Sequence, residues 1–546
     1  MLDTGRGTRA VAGIKSNEKY PMKLRFAAIA LLMVLPLASA FAKPLVVCTE
    51  ASPEGFDPVR YSTLTITNAS ADVIFNGLVT YDDATGTVQP ALAQSWDVSQ
   101  SGAVYTFHLR PNVHFQTTDY FKPTRTFDAD DVIATFDRML NPDNAWRKAL
   151  PTVVMPNVQS MQITKLIKSV DKVDPLTVRI VLNHPDATLL PILTMSFASI
   201  YSSEYLAQLL KTNAIADLNA KPVSTGPFVL KSYRPDATIR YTVNPDYWGP
   251  KPKVDGLIYA ITPDPTVRAQ RVKAGECDIA LAPKPDDIAS ARRDPSLKVL
   301  DVPGFMTAFV ALNTQRHGLD SPVVRRAINL AFDRDTYVKT LFGTSAVPAT
   351  DPYPSSTEAK TGYAYDPALA KKLLAQAGMA NGLGLTIWTR STGSTLNPNP
   401  KVGAELLQAD LTKVGIDARI KTLEWGELLH EIKQGQYDLL FMGWAGDNGD
   451  PDNFLSPLFS CDAVKGGTNF QRYCDASLDA SIASGKATST ASVRAQDYDR
   501  AVKIAHDQAL WIPLAHPLVA AITRPNIDGY HVSPFGRVSF GAVSIR

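Results

Sequence analysis

Between residues 383 and 444 the chain switches repeatedly between two hydrophobic periods. Segments 383–388 (LGLTIW), 416–423 and 438–444 read as strands, and segments 400–414 and 425–434 between them read as helices. Strands separated by helices require crossover connections, so this region forms βαβ units and an open, largely parallel sheet. The fold class is therefore α/β. Ligands of such sheets bind outside the carboxyl ends of the strands. The last strand runs directly into 443–453, GWAGDNGDPDN, where Asp447, Asp450 and Asp452 crowd together.

At 546 residues the chain exceeds one hydrophobic core, since single cores stop growing at roughly 250–300 residues. Hydrophobic residues make up 45% and charged residues 20%, the balance of a globular protein. The beginning is different. Lys23 and Arg25 precede an uncharged run from Phe26 to Leu37, and small residues follow up to Ala42. This is the pattern of a Sec-type signal peptide cleaved near Ala42, with Met1 or Met22 as the start. Its apolar run is too short to span a bilayer, so residues 1–42 read as an N-terminal extension and signal peptide. The processed protein is expected to be soluble and periplasmic, without direct membrane insertion. Because the first 42 residues hold six of the 55 basic and two of the 53 acidic residues, processing takes the net charge from +2 to −2. That balance gives no nucleic-acid footprint.

In an exported chain the four cysteines, Cys48, Cys277, Cys461 and Cys474, point to disulfides rather than metal. Three pairings are open, and the proximity of Cys461 to Cys474 favours joining those two and leaving Cys48 for Cys277. Helix starts are well punctuated: Asp128 precedes ADDVIATFDRML, and Ser321-Pro322 and Asp366-Pro367 open two more amphipathic runs. The N-terminal half is mixed, with alternating strands at 103–109 and 177–182.

No nucleophile elbow, phosphate loop, dinucleotide fingerprint or zinc-protease helix is present, and the histidines are scattered. The chain is not read as an enzyme, and no cofactor or metal is expected. The acidic stretch lacks the spacing of a calcium loop, with Leu458 where a carboxylate belongs. Turn and cap formation accounts for Asp450 and Asp452. It does not account for Asp447 at a strand end.

The segments ASPEGFDP (51–58), LAQSWDVSQSGAVYTFHLRPNVHF (92–115), STGPF (224–228), DYWGPKP (246–252), ITPDPTVR (261–268) and GWAGDNGDPDN resemble, in order, the peptide/nickel/oligopeptide class of ABC-transporter solute-binding proteins. Dipeptide receptors are the nearest members. The resemblance implies a two-lobe periplasmic-binding-protein fold of type II, with an extra subdomain in lobe I. Lobe I would comprise 43–303 and a return segment 517–546, with the subdomain near 82–220, and lobe II would comprise 304–516. It implies the cysteine pairing favoured above. It also implies a monomer that closes over a short peptide ligand and delivers it to an inner-membrane ABC permease complex.

By the same resemblance Asp447 holds the ligand's α-ammonium group, with Gly446 and Trp444 beside it. For the ligand's carboxylate the dipeptide receptors carry an Arg where this chain has Ser394, and Arg390 lies four residues earlier. A guanidinium fork suits a carboxylate. Trp425, at the start of the neighbouring helix, is a second candidate wall. Segments FQTTDYFKPTRTFDADDV and HVSPFGRVSFGAV resemble Sap-type receptors instead. The alternative reading is therefore a receptor for larger cationic or antimicrobial peptides, or for haem.

Overall fold

The computed structural model describes residues 43–99, 101–354 and 363–546. The expected signal peptide and the choice of start codon lie outside the described residues. Among the described residues no helix is long and apolar enough to cross a membrane.

A twelve-stranded sheet organises the chain. Its order from one edge is Ile416–Leu423, Leu383–Arg390, Leu439–Ala445, Met306–Leu312, Trp511–Thr523, Ile279–Leu281, Leu45–Thr49, Gly256–Ile261, Thr238–Val243 and Phe228–Arg234. Two further strands, Lys298–Pro303 and Ala346–Pro348, pair with Trp511–Thr523.

The three strands of the βαβ region are parallel to one another, as their helical crossovers require. The sheet as a whole is mixed, which corrects the expectation of a largely parallel one. Met306–Leu312 and Trp511–Thr523 run antiparallel to the strands they pair with.

Burial explains why the strands read as continuous apolar runs. Along Met306–Leu312, Ala308, Val310 and Leu312 enter one core while Phe309 and Ala311 enter another, the period of two that a pleated strand imposes. Helices Pro322–Ala331, Pro367–Gln376 and Pro400–Lys413 contribute to the first of these cores. Helices Asp452–Phe459, Ala476–Ala487 and Ala491–Asp507 contribute to the second. A sheet covered on both faces carries few polar residues. A separate large core gathers residues from 45–281 with residues from 521–543.

Within the N-terminal half a four-stranded antiparallel sheet packs beside helix Ala129–Leu140. Asp128 caps that helix, and Asp131 returns the bond to the Asp128 backbone, forming a capping box. The glycine of STGPF has a local cause. The N–H of Gly226 donates to the Ile74 carbonyl at 2.9 Å, and a Cβ there would lie 2.4 Å from the Ile74 carbonyl carbon. Cys48 is bonded to Cys277 and Cys461 to Cys474.

Candidate ligand-binding site

A cavity of about 500 Å³ opens where the βαβ strands end. One wall comes from the strand ends and their loops: Arg390, Ser394, Trp425, Gly446 and Asp447. The opposite wall comes from sequence-distant residues, among them Asn157, Met195, Phe535 and Arg537. Five of the six residues singled out as ligand-binding in the sequence thus line one space.

Trp444 does not. Its indole N–H donates to the Asn453 carbonyl at 2.7 Å, and its ring packs on the core beneath the site. Its neighbours Met442, Gly443 and Ala445 line the cavity, while the Trp444 indole is held on the core by the Asn453 bond.

Asn453 has a second task. Its Oδ1 accepts from the Asp447 backbone N–H at 3.1 Å, so one side chain ties both ends of the turn and fixes where Asp447 begins. Gly446 is a glycine because Phe305 stacks over it. A Cβ would lie 2.4 Å from that ring, and the Gly446 N–H donates to the Phe305 carbonyl at 2.8 Å.

The three acidic groups sit in different environments. Asp450 is buried against Arg494 at 2.6 Å and accepts from the Asp452 N–H at 2.8 Å. Asp452 faces Lys486 at 3.6 Å and accepts from the Ser456 hydroxyl. The carboxylate of Asp447 makes no hydrogen bond or ion pair among the described residues. Its surface is open to the cavity, but protein encloses the cavity, and this desolvation pushes its carboxyl up to about 6; the positive charge of Arg537 opposes the rise. Arg537 is committed elsewhere, with Nε at 3.0 Å from Asp72 Oδ1 and Nη1 donating to the Thr194 carbonyl at 2.9 Å.

Arg390 ends the strand Leu383–Arg390, with its guanidinium 4.6 Å from the centre of the Trp425 ring. Nη2 donates to Thr392 Oγ1 at 3.1 Å, and Nε is buried without a partner. Burial lowers its pKa against the pull of Glu424, leaving a protonated fork with spare donors. Ser394 closes the turn after the strand: its Oγ accepts from the Asn397 N–H at 3.1 Å. Trp425 serves both the cavity and the core. Among the described residues no group of three His, Cys, Asp or Glu could hold a metal ion.

Arg537, Phe535 and Asn453 escaped the sequence reading. The first two reach the site from the C-terminal return of the chain, and no local pattern marks them.

The model of the bacterial extracellular solute-binding proteins, family 5 (its middle region), matches residues 87–466. The chain belongs to this family. A family 5 protein is a binding protein, not an enzyme. The probable di/tripeptide-binding protein 5 of Pseudomonas aeruginosa is 55% identical over 96% of this chain and 100% of its own length. Among solved structures, HbpA2 from Haemophilus parasuis has a TM-score of 0.87 at 35% identity, covering 92% of this chain and 100% of its own. The dipeptide-binding protein from Pseudoalteromonas sp. SM9913, in complex with Met-Leu, has a TM-score of 0.78 at 32% identity, covering 92% and 100%. This family 5 chain has the type II periplasmic-binding-protein fold.

The raised carboxyl of Asp447 carries a sign. Its folded value, about 6, lies above the ordinary aspartate value of 3.8. Its contribution to stability is therefore fully present below the unfolded value and is lost as pH rises through about 6. In thermal melts of the ligand-free protein, Asp447→Asn melts above the wild type at pH 7.5, and the two coincide below pH ~4. A variant equally or less stable at pH 7.5 would contradict the environment described for Asp447.

Proposed function

We propose that this protein captures di- and tripeptides in the periplasm and hands them to an inner-membrane ABC permease. The observation that carries the reading is the pairing in one cavity of a carboxylate without a partner, Asp447, and a guanidinium with spare donors, Arg390. A short peptide is a zwitterion. Its ammonium group would meet Asp447, and its carboxylate would meet the Arg390 fork. A buried unpaired charge is costly and a matched one is not, so the site rewards a ligand with both termini free. The relative named for di/tripeptides and the neighbour holding Met-Leu support the same substrate class.

The two walls of the cavity belong to the two lobes, 43–303 with 517–546 and 304–516. Because the ligand contacts both, it favours the closed arrangement by differential affinity. Trp425 holds the guanidinium plane by stacking. Ser394, engaged in its turn, leaves the carboxylate to Arg390.

Native mass spectrometry of residues 43–546, purified without denaturation, tests the ligand class. Released masses of two- or three-residue peptides support the reading, whereas long cationic peptides or a haem mass would overturn it. At the other end of the ligand, Arg390→Ala lowers the affinity for a free dipeptide about 100-fold, while C-terminally amidated dipeptide, already weak, changes little. If the two ligands lose affinity equally, the carboxylate is held by another group.

A further inference from the structure

Lys486 lies outside the cavity, yet it joins two parts of the chain that the cavity separates. Its Nζ sits 3.7 Å from Asp186 Oδ2 and 3.6 Å from Asp452 Oδ2. Its backbone carbonyl accepts from the Ala187 N–H at 2.7 Å, a second tie to the same N-terminal segment. Asp186 is anchored on its own side: its Oδ1 accepts from the Thr188 N–H at 2.8 Å, and its carbonyl accepts from the Tyr105 hydroxyl at 2.8 Å. Asp452 is anchored on the other side, in the first turn of helix Asp452–Phe459.

The acidic segment between Asp447 and Asp452 touches the N-terminal half at two more points. Asn448 Nδ2 lies 3.6 Å from Met195 Sδ, and Gly449 packs so closely on Tyr81 that a Cβ would overlap the ring. Behind it, Arg494 grips Asp450 and donates through Nε to the Gly485 carbonyl at 2.9 Å, next to Lys486 in the chain.

We propose that Lys486 is a positioning residue for ligand capture: it bridges Asp186 and Asp452 across the closed arrangement and sets, for every peptide alike, how tightly that arrangement holds. The inference rests on the two-lobe peptide reading and deepens it. The physics is the order of charges. Asp186 and Asp452 are nearly buried, their side chains 2% and 12% exposed, and like charges facing across a closing gap repel. Lys486 turns that repulsion into two attractions. Without it, closure brings two carboxylates together with nothing between them. Since Lys486, Asp186 and Asp452 are not part of the cavity wall, the effect cannot depend on the ligand's side chains.

The test is titration calorimetry and stopped-flow binding of Lys486→Met and Lys486→Arg with Ala-Ala, Lys-Phe and Ala-Ala-Ala. Lys486→Met weakens all three by one common factor, roughly tenfold, through faster dissociation at unchanged association rate. Lys486→Arg restores most of the affinity, and the ligand-free melting temperature barely moves. Asp186→Asn, which keeps its bonds to Thr188, gives a smaller common factor and serves if Lys486→Met does not fold. Unequal factors for the three peptides overturn the proposal, as does a lowered melting temperature with unchanged affinity. Wild-type protein that binds none of the three defeats the peptide reading and the proposal with it; wild-type binding with variants indistinguishable from it defeats the proposal alone.

Discussion

The strand Trp511–Thr523 is the constraint on which the rest depends. Its first part pairs with Met306–Leu312 and Ala346–Pro348, and its second part with Ile279–Leu281 and Lys298–Pro303. It is buried along its length except at Leu518 and Val519, near the middle. A strand that serves two blocks of sheet must satisfy both registers, and the ladder shifts at Ala308/Phe309, opposite Pro513, a residue with no N–H to donate. The βαβ strands are aligned through this ladder, and with them the strand end that carries Asp447. The chain beyond Thr523 then returns to place Phe535 and Arg537 on the opposite wall.

Chemistry at the strand end follows from an unequal distribution of partners. Asp450 and Asp452 are both buried, but each has a cation and a backbone or hydroxyl donor. Their raised pKa values report burial that their partners offset in part. Asp447, a few residues away, has the desolvation without a bonded partner. A segment rich in acidic residues therefore divides its charge: Asp450 and Asp452 hold the turn in place, and Asp447 is left without a bonded partner.

How much of this was legible in the sequence depends on the range of the interaction. The strands and helices between 383 and 444 were marked by their own periodicity, and the observed strands extend at most two residues beyond the marked ends. The Asp128 capping box and the proline-opened helices follow from nearest neighbours in the chain. Asp447 stood out because turn chemistry explained its neighbours and not it. That the Trp444 indole bonds to Asn453 and lies outside the cavity wall was not legible in the strand pattern. The mixed direction of the sheet and the Lys486 bridge to Asp186 had no sequence signal. Each joins residues whose proximity only the folded chain creates.

A double-mutant cycle tests whether Asp447 recognises the ligand's ammonium group. Calorimetry at pH 7.5 would compare a dipeptide with its N-acetyl derivative on wild-type protein and on Asp447→Asn. If Asp447 holds the ammonium group, acetylation costs the wild type about 100-fold in affinity and the variant only about threefold, because the charge pair is already gone. Equal losses on both proteins would mean that the ammonium group is held by a group other than Asp447.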